Sequence, residues 1–324
     1  MLSALAFMAL YIVLFGVAAL LEQPIARGLD AFHLDALLRI GAAVLAIAAL
    51  LVLRGPALTS WAPALAGVSI GLISGAGSLC YCLALGRLPA DLTACLANGY
   101  LVVTVVLGIV VLHEPLTLFT LAGLVLTIGG AVVLTMRSHA GRRAAVSHHA
   151  TEGGARFALV ASPSLSPHSM PGSTLPLRLS GISWLAGYVA LIGVGAFLEK
   201  PALRQLAPLQ LNALTALGMV IVGLLAVSMV RVTRRRHRSG PLGSRHLRLP
   251  ALGIGLMIGA GSIFYYLALA HLPVSTAAAL ANAYVVVTVV LAVPVFHQPM
   301  TWRKAAGVVA MLVGVVLLSL RVPL

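Results

Sequence analysis

Ten runs of mostly apolar residues divide the chain, near 2–21, 34–53, 62–85, 90–112, 118–136, 182–198, 209–230, 249–270, 274–296 and 304–321. At 1.5 Å of rise per residue, each is long enough to cross about 30 Å of hydrocarbon. Lipid offers no water to backbone N–H and C=O groups, so a crossing segment must be a helix or a strand of a closed barrel. The runs lack the alternation of apolar and polar residues that a barrel strand needs. Composition agrees: 60% of residues are hydrophobic and 9% are charged, with a mean hydropathy of +1.07. That is too little charge to cover a soluble surface. The sequence therefore predicts an all-α integral membrane protein of about ten transmembrane helices. The first run reads as a span rather than a signal peptide, because its counterpart recurs in mid-chain at 182–198.

The second constraint is internal repetition. Residues 71–117 align without gaps to 255–301, with 27 of 47 positions identical, and residues 21–41 align to 198–218. Shared low complexity would match Leu, Val and Ala. It would not place Glu, Pro, Asn, Tyr, His and Thr in register. The division is a first five-helix repeat over 1–137, a flexible polar linker over 138–180 rich in Ser, Pro, Gly, His and Arg, and a second repeat over 181–324. Five spans is an odd number, so the second copy enters the membrane upside down. Two inverted five-helix repeats are the construction of many secondary transporters.

The formal charge is +14, but the Arg residues concentrate in two loops between apolar runs, Arg137–Arg178 and Arg231–Arg248. Basic loops beside spans indicate cytoplasmic retention and contact with anionic headgroups, so membrane lipids rather than nucleic acid are the expected partners. Loops after odd-numbered spans carry 16 of the 21 Lys and Arg residues, which puts both termini outside and the linker in the cytoplasm. Cys80, Cys82 and Cys95 lie inside spans and give no disulfide framework.

Polar residues inside the runs are the candidates for chemistry. Glu22 and Glu199 end the first span of each copy. Either would couple transport to a proton or cation, or would pair at the interface with Arg27 or Arg204. Asn98 and Asn282 sit within the fourth and ninth spans. Tyr100 shares a helix face with Thr104, as Tyr284 does with Thr288. In a regular helix Asn98 lies about 200° from Tyr100, so only one of these polar faces points at a cavity. Helix-to-helix bonding and cavity lining both account for each Asn. Tyr81 and Tyr265, with Tyr266 beside the latter, either line a pathway or anchor between helices. Gly71, Gly75 and Gly77 match Gly255, Gly259 and Gly261 at spacings that let helices approach closely. His113 and His297 have no second ligand at helical spacing, so no metal is predicted. There is no nucleotide-binding Gly loop, paired-His motif or nucleophile elbow, hence no cofactor and no enzyme chemistry.

In order and spacing, these features resemble the drug/metabolite transporter superfamily in its EamA-type ten-helix form. The family's unit has a Gly-containing first helix ending near a Lys, then an Arg entering the second helix. Gly16, Gln23 and Arg39 stand there in the first copy, and Gly193, Lys200 and Ala216 in the second. The family's fourth helix ends in a Gly-Glu pair before a Gly-containing fifth helix; here His113-Glu114 and His297-Gln298 occupy the pair, with Gly123 and Gly307 following. This chain also lacks the family's Pro in mid-fourth helix. Small multidrug resistance relatives carry a first-helix Glu too, nearer mid-helix than Glu22 or Glu199. The resemblance implies termini inside, against the charge count, and a cavity walled by the first, third and fourth helices of each copy. It implies a secondary transporter that exports or exchanges small metabolites or drugs by alternating access, in a bacterial inner membrane. A flippase for a lipid-linked carrier and a non-transporting structural subunit are the alternatives. Substrate, coupling ion and oligomeric state, monomer included, stay open.

Overall fold

The computed structural model describes residues 2–26, 28–53, 60–85, 87–88, 93, 96–114, 118–135, 174–236, 245–296 and 300–319. These residues form helices α1 (Leu2–Ile25), α2 (Ala31–Val52), α3 (Trp61–Leu85), α4 (Tyr100–Leu112) and α5 (Leu118–Thr135) of the first copy. The second copy supplies α6 (Thr174–Ala202), α7 (Pro208–Arg236), α8 (Arg248–Leu269), α9 (Val274–Ala281), α10 (Tyr284–Phe296) and α11 (Trp302–Ser319). A single 3-10 turn, Arg245–Leu247, leads into α8. Most of the segment read as a linker lies outside the described residues, and α6 begins within its last part, at Thr174.

Among the described residues, seven helical segments are long and apolar enough to cross a membrane, α9 and α10 together counting as one, and two shorter apolar helices accompany them. The outward faces of the helices, α11 included, carry Val44, Val110, Val125, Leu224, Met229 and Val316, all exposed. So much apolar surface is unstable in water and stable in lipid, so the chain is a multi-pass integral membrane protein.

Local signals set the helix ends. Asp30 Oδ1 accepts from Phe32 N at 3.1 Å and caps α2. At the duplicated turn, Ala207 N donates to Gln210 Oε1 at 2.9 Å, so the same helix start is capped by reach-back from its first turn. The α4 helix ends on His113 at φ 53°, and Glu114 N returns to Gly108 O at 3.2 Å. That left-handed cap is a conformation glycine adopts without cost, which explains the family's Gly at this position.

The two copies pack through exchanged, equivalent contacts. Helix α1 packs on α8 and α10, and α6 packs on α3 and α4; α2 lies against its duplicate α7, and α5 against its duplicate α11. Thr104 Oγ1 donates to Gly193 O at 3.1 Å, and its duplicate Thr288 donates to Gly16 O at 3.0 Å. Tyr11 meets Tyr265 at 5.3 Å between ring centroids, and the duplicated pair Tyr188 and Tyr81 meet at 5.1 Å. Where α2 crosses α8, a Cβ on Gly41 would fall 2.5 Å from Leu252 O and 2.8 Å from Gly255 Cα. The duplicated crossing brings Gly71 and Gly218 equally close. These exchanges are what a two-fold axis between inverted repeats produces. Gly71 and Gly255 thus act as contact points where backbones touch.

Candidate functional site

The fourth span of each copy is not the regular helix the sequence suggests. In the second copy it breaks at Asn282 and Ala283, between α9 and α10; in the first it breaks at Asn98 and Gly99, just before α4. Bonds spaced three residues apart carry the chain through each break: Leu101 N to Asn98 O at 3.1 Å, and Val285 N to Asn282 O at 3.2 Å. The Asn side chain competes for local backbone groups, which favours a break at that residue. The break also frees the two polar faces from a fixed 200° offset. Asn282 Nδ2 donates to Asn98 Oδ1 at 3.4 Å, with both side chains buried.

A cavity of about 170 Å³ lies between residues of both copies, and neither Asn98 nor Asn282 is on its wall. Tyr11 and Phe15 from α1, Arg39 from α2, Glu199 from α6, Asn212 and Thr215 from α7, and Tyr265 and Tyr266 from α8 line it. The first helices of both copies and the third of one contribute, as the resemblance implies. The second helices contribute as well, and no described residue of the fourth helices lines this cavity. Close backbone contacts at Gly41–Gly255 and Gly71–Gly218 hold α2 against α8 and α7 against α3, and Arg39, Asn212 and Thr215 on these helices reach the wall.

Glu199 is buried, and its Oε1 accepts from Tyr266 Oη at 2.8 Å. Its interfacial alternative, Arg204, is exposed, and Glu199 makes no ion pair among the described residues. The next residue, Lys200, turns away: its Nζ donates to Leu269 O at 2.8 Å, Ala270 O at 3.3 Å and Leu272 O at 2.7 Å, capping the end of α8. Glu22 is half-buried within the last turns of α1 and is not on the cavity wall; Arg27 lies outside the described residues. Arg39 is held by Asp35 Oδ1 at 3.3 Å, Ser78 Oγ at 3.1 Å and Met219 Sδ at 3.1 Å.

Of the tyrosines singled out in the sequence, Tyr265 is on the wall. Tyr284 packs edge-on against Phe15 at 5.6 Å. Tyr81 and Tyr100 both pack on Tyr188, at 5.1 and 6.5 Å. Thr104 and Thr288 hold helices together rather than face the cavity. Asn212, Thr215, Tyr11 and Phe15 drew no attention in the sequence. Asn212 and Thr215 do sit in the repeat aligned to Asp35 and Leu38, where a polar residue recurs or newly appears in an apolar run. Glu114 serves the framework rather than the cavity. Its carboxylate accepts from Val274 N at 2.6 Å and Ser275 N at 3.1 Å, and Ser275 Oγ donates to it at 2.5 Å. It caps α9 of the opposite copy. No group of three His, Cys, Asp or Glu residues that would hold a metal occurs among the described residues.

No curated protein sequence matches the chain. A solved crystal structure of a protein superposes with a TM-score of 0.71 over 98% of this chain and 96% of its own, at 20% identity. The model of the EamA-like transporter family matches twice, over residues 2–136 and 179–320, one match per repeat. With the doubled match, the exchanged contacts and the cavity between the copies in agreement, the chain belongs to the EamA-like transporter family, in the drug/metabolite transporter superfamily.

Proposed function

We propose that this membrane protein is a secondary transporter that exports or exchanges small amphipathic metabolites or drugs by alternating access. The observation that carries the reading is the cavity walled by both copies, inside a framework whose contacts come in interchangeable pairs. In inverted repeats, exchanging the conformations of the two halves turns an opening on one side into an opening on the other. The aromatic wall suits solutes with an apolar body, and Glu199 with Tyr265 supplies the polar end. Asn98 and Asn282, with Tyr100, Tyr284 and Tyr81 around them, flank the path where the halves meet. The paired breaks in the fourth spans give each half a joint near mid-membrane.

The test is solute movement in a defined membrane. Purified protein in proteoliposomes, with and without an imposed pH gradient, is screened against amphipathic metabolites and drugs. Uptake above protein-free vesicles, lost on Tyr265→Ala with folding intact, supports the reading. No uptake of any solute by well-folded protein under either condition rejects it.

A further inference from the structure

Two duplicated polar networks have diverged. In the first copy the polar groups satisfy one another: Ser78 Oγ donates to Asp35 Oδ1 at 2.7 Å, and Arg39 donates to both. Their counterparts in the second copy are Ser262, Asn212 and Ala216, so the second copy has neither the acid nor the cation of this set. It keeps the carboxylate of Glu199. Asn212 Nδ2 has no hydrogen-bond partner among the described residues, and Glu199 Oε2 and Thr215 Oγ1 make no hydrogen bond of good geometry there, only looser contacts with the Tyr265 and Tyr266 hydroxyls. Glu199, Asn212 and Thr215 are 7, 2 and 3% exposed, and all three line the same cavity. A buried polar atom left unpaired is costly, so an acceptor, a donor and a hydroxyl converging on one space mark a place for a ligand.

The chemistry of that space selects the ligand. The neighbouring cations are held elsewhere, Lys200 by the end of α8 and Arg39 by Asp35, so Glu199 has no ion-pair partner among the described residues and a bound cation would supply one. Tyr11, Phe15 and Tyr265 pack into one aromatic cluster beside it, with centroids 4.8 and 5.3 Å apart, and π faces attract cations. A proton on Glu199 would neutralise the carboxylate and leave Asn212 Nδ2 unpaired.

We propose that the cavity is a binding site, one per molecule, for a protonated organic amine whose N–H groups donate to Glu199 Oε2. An oxygen acceptor close to the amine takes the Asn212 Nδ2 and Thr215 Oγ1 hydrogens, and the apolar body lies on Tyr11 and Phe15. This rests on the transporter reading and names the substrate class of the same cavity.

Binding is measured apart from transport, by calorimetry on the full chain in lipid nanodiscs. The probes are 2-amino-3-phenylpropan-1-ol, its neutral N-acetyl derivative, and phenethylamine, which lacks the hydroxyl. The amino alcohol binds one per chain, the N-acetyl compound binds at least about tenfold more weakly, and Glu199→Gln weakens the amino alcohol by at least about tenfold. Asn212→Ala weakens the amino alcohol and leaves phenethylamine unchanged, an effect that a general loss of folding does not produce. Should Glu199→Gln fail to elute as a single species, the probe comparison on the unaltered chain and the Asn212→Ala pair decide. Equal binding of the neutral compound, or no binding of either amine to monodisperse protein, overturns the proposal. So does pH-driven transport that needs Glu199 when no amine binds, which assigns the carboxylate to protons alone. Transport of other solutes in that case leaves the transporter reading standing, whereas amine binding without any transport rejects that reading and keeps the site.

Discussion

Asn282 Nδ2 donates to Asn98 Oδ1 across 3.4 Å, so each residue of the pair is hydrogen-bonded to its own duplicate. Such a contact places both beside the axis that relates the copies, at the point where both fourth spans break. A single side-chain bond between membrane helices is worth about 0.6 kcal/mol on average, so the pair is a weak fastener. We predict that Asn98→Ala and Asn282→Ala each lower the melting temperature only slightly. Their coupling in a double-mutant cycle should stay near roughly 0.6 kcal/mol, while solute uptake falls further than stability does. Unchanged transport by the double variant would remove the pair from the pathway.

His113 occupies the left-handed cap of α4 at φ 53°. A non-glycine residue held there costs on the order of 1 kcal/mol. His113→Gly is therefore expected to raise the unfolding free energy by about that amount, measured by thermal or denaturant unfolding in detergent. A lower stability would mean that the imidazole makes a compensating contact.

Glu114 caps α9 across the copy boundary through two backbone amides and the Ser275 hydroxyl. Removing the carboxylate leaves buried donors unsatisfied. Glu114→Ala should cost about 1–3 kcal/mol, and Ser275→Ala less, since the amide contacts survive. Equal small effects from the two variants would show that the amides find other acceptors.

Gly41 and Gly255 touch backbone to backbone where α2 crosses α8. Gly41→Val should destabilise the protein by about 1–3 kcal/mol through overpacking. Gly129 has nothing within 4 Å of an added Cβ, so Gly129→Ala should be neutral or slightly stabilising. Comparing expression and melting temperature for the two variants checks both directions.

The charge count predicts an orientation with the linker and the α7–α8 turn in the cytoplasm. His246 is exposed on the turn before α8, between the basic end of α7 and Arg248. In a background without native cysteines, His246→Cys should resist a membrane-impermeant thiol reagent in intact cells and react in inside-out vesicles. Labelling in intact cells would reverse the assigned topology.

The duplicated stretches made the two-copy plan legible. A gapless match that keeps Asn98, Tyr100 and Thr104 in register with Asn282, Tyr284 and Thr288 has few explanations other than a shared fold. The break at the Asn residues was hidden because Leu-Ala-Asn lies inside a continuous apolar run, and hydropathy averages over a two-residue turn. The cavity was half visible. Glu199 stood out as a carboxylate next to hydrocarbon, whereas Asn212 and Thr215 are ordinary side chains until α7 packs against α3 and they reach the wall. Glu22 and Glu199 look equivalent in sequence, yet of the two it is Glu199 that lines this cavity.

The self-contained Asp35–Arg39–Ser78 set in the first copy has a consequence for the cycle proposed above. Were the halves identical, the two openings would be one structure viewed from opposite sides, and an empty protein would spend equal time in each. Charges present in only one half break that degeneracy, because the rearrangement they undergo has no twin in the opposite stroke. An imbalance of about 1.4 kcal/mol is enough to rest roughly nine molecules in ten facing the same way. On the proposed alternating-access reading, the resting direction of the empty protein is then set by the difference between Arg39 and Ala216.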